Sequence, residues 1–358
     1  LSEMLSATQP NHTRGRALIM KSALIIGYGQ IGEEIAAQLS ATGIHTTVAT
    51  RSGRASAPVA ATAPGSRTAT DVRPSAGNQA RTDTGQALHS PGVGTEATHI
   101  RAHAADRAQL HEAAAASDVI FACAHAPYDS RKWEQTLPRL DSAIMDTAAR
   151  LGIPVIFPES VYAFAGLREA ITESSPFAPV EDKGRIRQSL LEARREHPAT
   201  TVSVIAGDLL GSTAQPWSSV VKMCITAPIS KGHRAIVPAR TDVAHGITVI
   251  ADLAAAMIRA AQLLEDVPAG THRLLIAPSS NPTLGEITEF THEHSGTKPR
   301  KPLALPRWTT RVAGVVERSM YELNQLSPIW YSPCVIESGD FAESLGTTDW
   351  RKGITQML

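Results

Sequence analysis

Three glycines near the start of the chain have the spacing of a phosphate-binding loop. Gly27, Gly29 and Gly32 form a G-x-G-x-x-G sequence directly after the apolar run 23–26. In such a loop the first glycine permits a sharp turn, the second lets the backbone approach a pyrophosphate, and the third lets a helix pack closely on the strand. Free N–H groups and the dipole of that helix attract the anion. These residues therefore predict a dinucleotide site, with a glycine-rich turn that binds no ligand as the alternative.

The residues on either side of the loop predict the elements that hold it. The run 23–26 is short and apolar, which is typical of a strand buried on both faces. After the glycines, Ile31, Ile35 and Leu39 recur every four residues, which predicts an amphipathic helix. The change from strand to helix falls where the motif requires it. The predicted cofactor-binding residues of this loop are Gly27, Tyr28, Gly29, Gln30, Ile31 and Gly32.

A group of arginines follows the second predicted strand, about 20 residues beyond the glycines. NAD-specific sites usually carry an acidic residue at this point, which binds the adenosine ribose hydroxyls. This sequence has Arg51 instead, followed by Ser52 and Arg54. Because a planar guanidinium suits a 2′-phosphate, the sequence favours NADP over NAD. The alternative is that these arginines are solvated residues at the start of an insertion.

Strands and helices alternate over residues 20–215, and the segment TTVSVIAGDLLG is predicted as one strand. This alternation predicts an α/β fold with a Rossmann-type, doubly wound parallel sheet. Beyond residue 216 the alternation loosens, which predicts a smaller C-terminal α/β substrate-binding region, partly interleaved with the first domain. Residues 1–19 are polar and aperiodic, as in a loose N-terminal extension. Residues 55–97 are rich in Ala, Thr, Ser, Pro and Gly, which predicts a disordered insertion.

The composition favours a small-molecule partner. Lys plus Arg equals Asp plus Glu at 34 each, so the chain lacks the basic excess that favours nucleic acid or an acidic membrane surface. Its three cysteines lie far apart, which suggests neither disulfides nor a zinc site. No apolar run approaches the roughly 18 residues of a membrane helix. We expect a soluble cytoplasmic protein with a small-molecule substrate and no nucleic-acid or membrane partner, and a homodimer is compatible with these features.

Two further groups contain His or Asp residues, which are types that can bind metal ions. His292 and His294 lie two residues apart on a predicted surface helix, a spacing that does not place them on one face. Asp242 and His245 precede a predicted strand and could cap turns. The sequence therefore predicts no metal site.

Several segments beyond the glycine motif occur in a familiar order. They are HAADRAQL, SDVIFACAHAPY, FPESVYAFAG, DKGRIR, ITVIADLAAAMI and the terminal FAESLGTTDWRKGITQML. Together with the glycine motif they resemble the extended and atypical short-chain dehydrogenases/reductases, the NAD(P)-dependent epimerase/dehydratase-like family. The resemblance runs from about Ser22 to the C-terminus, apart from the insertion. It implies a Rossmann fold, an NAD(P) cofactor and a second domain that completes the substrate cleft.

The resemblance also implies roles for individual residues. Asp106 stands where the family has an Asp that contacts adenine, and Ala122 and Ala124 belong to the segment that runs beneath the nicotinamide. Ser160 corresponds to the catalytic Ser/Thr after the fifth strand. Lys183 corresponds to the active-site Lys, which binds the nicotinamide ribose hydroxyls and supports proton transfer.

The sequence departs from the family at the acid/base residue. The family carries Tyr-x-x-x-Lys on one helix, but four residues before Lys183 this chain has Pro179. The nearest tyrosine, Tyr162, follows the fifth strand and is the candidate to replace it, with a buried packing role as the alternative. His125 and Tyr128 follow the fourth strand and are candidate substrate residues, since ligands bind outside the carboxyl ends of such strands. Packing is the alternative for these two as well.

Two functions follow from these residues. The first is an NADP-dependent oxidoreductase or epimerase/dehydratase-like enzyme acting on a small carbonyl, hydroxyl or sugar-type substrate, with Lys183, Ser160 and Tyr162 organising proton transfer. Ile205, where many relatives have Arg, argues against a sugar diphosphate. The second is a catalytically silent NADP(H)-binding regulator or redox sensor. Pro179 favours the regulator and the retained Lys183 favours the enzyme, which we take as the working hypothesis.

Overall fold

The computed structural model describes residues 20–53, 96–264, 267–315 and 317–358. The predictions for residues 1–19, for 55–95 and for Arg54 lie outside this description. The strands are β1 (Ser22–Ile26), β2 (His45–Thr50), β3 (Thr98–Arg101), β4 (Val119–Ala122), β5 (Val155–Ser160), β6 (Thr201–Ala206), β7 (Asp208–Leu210), β8 (Ile236–Val237), β9 (Ile247–Val249), β10 (His272–Ile276) and β11 (Leu303–Ala304).

The helices are α1 (Gln30–Ala41), α2 (Arg107–Ala114), α3 (Ser130–Leu151), α4 (Asp182–Glu196), α5 (Ala227–Ser230), α6 (Ile250–Gln262), α7 (Leu284–His294), α8 (Arg307–Ala313), α9 (Arg318–Asn324), α10 (Ser327–Trp330), α11 (Asp340–Leu345) and α12 (Trp350–Thr355). A 3₁₀ turn at Val161–Phe164 and a π-helical turn at Lys222–Thr226 complete the regular elements of the described residues.

Seven strands form one parallel sheet in the order β10-β6-β5-β4-β1-β2-β3. The chain runs outward from β1 through β2 to β3, then returns to the other side of β1 and continues through β4, β5 and β6. The predicted doubly wound α/β fold is confirmed. The order reverses between β1 and β4, and ligands bind at such reversal points, outside the carboxyl ends of the strands.

Strand β1 is buried on both faces because helices cover both sides of the sheet. Ala23 and Ile25 pack into the core formed with α1 and α6, whereas Leu24 and Ile26 pack into the core formed with α2 and α3. All four side chains are at most 2% exposed. This two-sided burial explains why the strand is continuously apolar instead of alternating.

The segment TTVSVIAGDLLG forms two strands, so its prediction as one strand was wrong. Strand β6 ends at Ala206, and β7 pairs with β9 in a separate two-stranded sheet. A Cβ atom on Gly207 would lie 2.1 Å from the carbonyl oxygen of Gly246. The backbone therefore leaves the main sheet at a residue that must be glycine, because another segment crosses it there.

The region beyond residue 216 contributes to the main sheet as well as to the cleft wall. Strand β10 pairs with β6 at the sheet edge, and α6 packs with α1 in one core. Helix α7 begins with a capping box in which the Thr283 side chain accepts from the N–H of Glu286. The helix has one buried and one exposed face, because His292 is 3% exposed and its ring bonds Thr297, whereas His294 is exposed.

The described residues also bear on membrane and metal binding. Within the part of the chain that the structure describes, no helix combines the length and apolar character needed to cross a bilayer. Within the same residues, no group of three or more His, Cys, Asp or Glu side chains is arranged to hold a metal ion. His245 is buried, and its two ring nitrogens face the carbonyl oxygens of Ile329 and Arg240.

Candidate functional site

A long cleft opens at the carboxyl ends of the central strands. On the sheet side it is lined by Gly27, Tyr28, Gly29, Gln30, Ile31, Arg51, Ser52, Ala122, Ala124, His125, Tyr128, Glu159, Ser160, Tyr162, Arg187 and Asp208. On the opposite side its residues include Trp217, Met223, Met320, Glu322, Leu323 and Trp330. Most of the predicted site residues therefore share one cleft, although Gly32, Asp106 and Lys183 are not among its lining residues.

The glycine loop has the geometry that the motif predicts. Gly27 has a φ of +95°, and a Cβ there would lie 2.6 Å from the backbone nitrogen of Ala124. A Cβ on Gly32 would lie 2.2 Å from the carbonyl oxygen of Gly27. A Cβ on Gly29 would meet nothing within 4 Å, and its φ of −104° suits any residue. The protein itself thus needs glycine at positions 27 and 32, whereas position 29 leaves room beside the N-terminus of α1 that fits a dinucleotide pyrophosphate.

Substitutions of these glycines should separate folding from cofactor binding. Gly29→Ala should keep the thermal stability of the wild-type protein but lower dinucleotide affinity at least about tenfold, because the methyl group enters the space left for the ligand. Gly32→Ala should lower the melting temperature, because its methyl group overlaps backbone atoms. Calorimetry and fluorescence titration with NADPH measure the two effects. Wild-type affinity in a folded Gly29→Ala protein would contradict the placement of the pyrophosphate.

The neighbouring predicted residues are partly used by the protein itself. The side-chain oxygen of Gln30 accepts from the backbone N–H of Gln215 and from the hydroxyl of Ser218. Ile31 packs against the core beneath α1. The Tyr28 ring meets His99 edge-on at a centroid distance of 4.9 Å. Gln30 thereby connects the start of α1 to the segment that begins the opposite wall of the cleft.

A recess at the outer end of the cleft is lined by three arginines, Arg51, Arg101 and Arg107, together with His103 and Asp106. Arg107 is paired with Asp146, whereas Arg51 and His103 also line the main cleft. The Asp106 carboxylate caps α2 by accepting from the backbone N–H groups of Ala108 and Gln109. This carboxylate therefore has a structural role, whether or not it also contacts a ligand. Arg101, which the sequence analysis missed, places a second guanidinium in the recess.

The inner end of the cleft contains three hydroxyl groups. The hydroxyl oxygens of Tyr128 and Tyr162 lie 3.3 Å apart, and Ser160 directly precedes the 3₁₀ turn that holds Tyr162. Trp133 packs beside both tyrosines, stacked on Tyr162 and edge-on to Tyr128. Burial raises the pKa of both phenols above the usual value. Either hydroxyl can donate or accept a proton in a relay, but neither is held as a phenolate.

His125 is held as a neutral imidazole. Its Nε2 contacts an Nη of Arg187, and a guanidinium can only donate, so Nε2 accepts. Its Nδ1 therefore carries the proton and donates to the carbonyl oxygen of Ala126 at 2.7 Å. Burial, together with the nearby Arg187, lowers the pKa of His125 to about 4. With both ring nitrogens engaged, His125 lines the cleft as a fixed group in this structure.

Lys183 lies behind the wall of the cleft. Its Nζ is 2.7 Å from a carboxylate oxygen of Glu322 and 3.5 Å from the ring centroid of Tyr128, and the two charged side chains are at most 3% exposed. Burial lowers the pKa of Lys183 to about 8, although Glu322 acts to raise it. The structure thus pairs Lys183 with α9 of the C-terminal region. Its predicted contact with the nicotinamide ribose stays a prediction.

Glu322 is held from several directions. It accepts from Ser130 at 3.0 Å and pairs with Arg318, whose guanidinium also bonds Asp129 at 2.9 Å. Ser130 and Asp129 lie at the start of α3, and Lys183 lies at the start of α4. The helix α9 is therefore fixed to the sheet domain through buried charges, next to the residues by which it lines the cleft.

A second buried charge network lies below the cleft floor. Arg194 is 2% exposed and bonds Asp141 at 2.7 Å, Glu159 at 2.9 Å and Ser203 at 2.9 Å. Glu159 also lies 3.4 Å from Arg187 and accepts from the N–H of Ser160. The network connects α3, α4, β5 and β6 directly under the candidate catalytic hydroxyls.

Asp208 is an ionisable group of the cleft that the sequence analysis missed. Its carboxylate accepts from the Ser219 hydroxyl at 2.9 Å and from the N–H groups of Val220 and Val221. Burial nevertheless raises its pKa to about 6. A carboxyl group with such a pKa can exchange a proton near neutral pH.

Two other cleft residues differ in how far the sequence could have revealed them. Arg187 lies four residues after Lys183 on α4, and this spacing places two residues on the same side of a helix. The sequence therefore contained a signal that Arg187 lies on the same side of the helix as Lys183. Glu322 lies in a Pro-interrupted region without clear periodicity, and its pairing partner is 139 residues away. Nothing local in the sequence indicates that contact.

Comparisons with known proteins give a fold but no closer relative: no family model matches the chain, and no curated protein matches it. Similar solved structures include MoeE5 in complex with UDP-glucose and NAD, at 14% identity and a TM-score of 0.64, covering 94% of this chain and 97% of that one. Another is a UDP-glucose 4-epimerase with UDP-glucose from Thermotoga maritima, at 12% identity and a TM-score of 0.63, with coverage of 94% and 97%.

A third similar structure is TunA, an NAD-dependent NDP-hexosamine 5,6-dehydratase involved in tunicamycin biosynthesis. It has 13% identity and a TM-score of 0.62, and the alignment covers 94% of this chain and 96% of that one. Matches at these identities show a shared fold along almost the whole chain. The resemblance drawn from the sequence is confirmed at the level of the fold.

Proposed function

We propose that this chain, which shares the fold of NAD-dependent sugar-nucleotide epimerases and dehydratases, is an NADP(H)-dependent enzyme of the epimerase/dehydratase-like type. Its substrate would be a small hydroxyl or carbonyl compound, including sugar-type compounds. One observation carries the proposal. A single cleft runs from Arg51, past the space left beside Gly29, to the hydroxyls of Ser160, Tyr162 and Tyr128.

The choice of NADP rests on the recess at the outer end of the cleft. Arg51 and Arg101 both line it, and a 2′-phosphate there would gain charge-assisted hydrogen bonds from one or both guanidinium groups. The similar structure of MoeE5 contains NAD. The two proteins would therefore use different cofactors. Of the described residues that line the recess, Asp106 alone is acidic. Its carboxylate already caps α2.

The proposed chemistry assigns a role to each inner residue. A bound nicotinamide supplies or accepts a hydride. Tyr162 would exchange a proton with the substrate oxygen, and Tyr128, 3.3 Å from it, would pass that proton onward. Ser160 would orient the substrate oxygen. The apolar residues Met320 and Leu323 on the opposite wall would exclude water from the reacting groups.

A dinucleotide-binding regulator remains the second candidate, and a specific observation favours it. Lys183 is paired with Glu322, and burial raises the pKa of both tyrosines, so within the described residues no lysine donates a hydrogen bond to either phenol oxygen. A protein that binds NADPH and reports it to a partner needs no phenol activated by a lysine. The two candidates differ in whether Tyr162 is required for turnover.

The cofactor preference can be tested by titration. The wild-type protein should bind NADPH more tightly than NADH, and Arg51→Ala should remove about 1.5 to 3 kcal/mol of NADPH binding energy without changing NADH binding. Arg101→Ala should also weaken NADPH binding. Arg150→Ala is the matched control, because Arg150 is exposed at the end of α3 that faces the opposite edge of the sheet. Equal affinities for the two cofactors would overturn the preference for NADP.

The enzyme and regulator proposals can be separated with Tyr162→Phe. If a screen of aldehydes, ketones and sugar nucleotides yields a substrate, this variant should lose about 10²-fold in turnover and keep NADPH affinity, because it deletes only a hydroxyl. Unchanged turnover would remove Tyr162 from the chemistry. Tight NADPH binding without turnover across the screen, together with a protein partner captured only in the presence of NADPH, would favour the regulator.

A further inference from the structure

Arg187 presents a buried hydrogen-bond donor to the inner cleft. Its side chain is 9% exposed and it is among the residues that line the cleft. Its Nε is buried and has no hydrogen-bond partner among the described residues. A buried donor without an acceptor is costly, and native proteins rarely leave one without a functional reason or a bound molecule.

The charges around Arg187 leave it less compensated than its neighbour. Arg194 forms ion pairs with Asp141 at 2.7 Å and Glu159 at 2.9 Å. Arg187 lies farther from the shared Glu159, at 3.4 Å. His125 also contacts Arg187, but it is neutral and accepts from the guanidinium without compensating its charge. Arg187 therefore retains positive potential directed at whatever fills the inner cleft.

The ring of Trp133 fixes the guanidinium without using its donors. The guanidinium carbon of Arg187 lies 4.9 Å from the centroid of that ring, and the same ring stacks on Tyr162. Arg187 and Tyr162 both contact Trp133, and both line the cleft. A substrate oxygen placed there could receive an N–H bond from one residue and a proton from the other.

We propose that the guanidinium of Arg187 binds the reacting oxygen of the substrate, so that it stabilises the negative charge that forms on a carbonyl oxygen. This rests on the proposed function and names a catalytic residue for the same site. A bound NADPH would supply a hydride to the carbonyl carbon, and the C=O π electron pair would then pass to the oxygen. That oxygen would take the proton of Tyr162, which leaves an alcohol and NADP⁺. A prearranged donor aimed at such an oxygen contributes strongly to catalysis.

Acetate can test this subsite without knowledge of the substrate, because its carboxylate imitates an anionic oxygen. Protein loaded with NADP⁺ is titrated with acetate, and tryptophan fluorescence reports binding because Trp133 contacts Arg187. Arg187→Met should weaken acetate binding at least about tenfold, since it loses a charge-assisted hydrogen bond, and Arg187→Lys should restore part of it. Arg185→Met is the matched control, because Arg185 is exposed on the same helix, and it should bind as the wild-type protein does.

The outcomes separate this inference from the proposed function. If NADP⁺ binds and acetate does not, or if a folded Arg187→Met protein binds acetate normally, the subsite is refuted and the cofactor proposal stands. If NADP⁺ itself fails to bind, both proposals fail. Should Arg187→Met not fold, Arg187→Gln gives the same comparison with an uncharged donor.

Discussion

Replacing Arg194 by methionine should lower the free energy of unfolding by about 3 to 5 kcal/mol, the usual result of removing one member of a buried ion pair. Arg194 is 2% exposed and is bonded to Asp141 and Glu159. Without the guanidinium, Asp141 would lose its ion pair and Glu159 would keep only the longer contact to Arg187. Burial already raises the pKa of Asp141 although Arg194 opposes it, so removal of Arg194 should raise that pKa further.

Urea denaturation followed by circular dichroism measures this loss, and the chain offers a close control. Arg195→Met makes the same chemical change one residue along α4 at an exposed position, and it should alter stability by no more than about 0.5 kcal/mol. Arg194→Lys should recover only part of the loss, because an ammonium cannot form the forked contacts of a guanidinium. Equal stabilities of the Arg194→Met and Arg195→Met proteins would contradict the importance of the network.

Glu322→Gln should destabilise the protein by a similar amount, about 3 to 5 kcal/mol, because it leaves Lys183 buried without its partner. Glu337→Gln, at an exposed position, is the matched control. The loss should be accompanied by release of α9 from the sheet domain, which hydrogen exchange would detect as faster exchange in residues 318–330. Unchanged exchange and stability would show that the Lys183–Glu322 pair does not hold the two regions together.

The same pair predicts a pH dependence of stability. In the unfolded chain the amine of Lys183 keeps its proton to about pH 10.4, whereas in the folded protein burial lowers its pKa to about 8. Unfolding between these pH values takes up a proton, so the unfolding free energy of the wild-type protein should rise with pH. From pH 8 to 9.5 it should gain about 1.5 kcal/mol relative to Lys183→Met. A constant difference would show that the buried amine stays charged.

The sequence predicted the fold because the fold depends on local patterns. The apolar run of β1, the glycine spacing and the period of α1 together define one strand–loop–helix unit, and the later alternation repeats that unit. Gly152 ends α3 in the left-handed conformation, as its position after the last apolar residue predicts. The single strand predicted through Gly207 failed for a non-local reason, since the carbonyl of Gly246 occupies the space beside it.

The cleft could be predicted in outline but not in its contacts. Ser160, Tyr162, His125 and Tyr128 follow predicted parallel strands, and such strands present their carboxyl ends at one edge, so the sequence made these residues candidates for one cleft. Which charges face the cleft depends on partners far away in the sequence. Lys183 forms an ion pair with Glu322 behind the wall of the cleft. Glu322 belongs to the irregular C-terminal region, and no periodicity or motif indicates such a pairing.

The packing of α6 against α1 has a consequence for synthesis of the chain. Gln38 on α1 bonds the carbonyl of Ala251 in α6, 213 positions later, and the two helices share one apolar core. During translation the part of α1 that contacts α6 therefore stays exposed to solvent until α6 has left the ribosome. Contacts so distant in sequence also slow the search for the native state. We expect the nascent chain to require chaperone protection over most of its length and to gain protease resistance only after residue 262 has emerged.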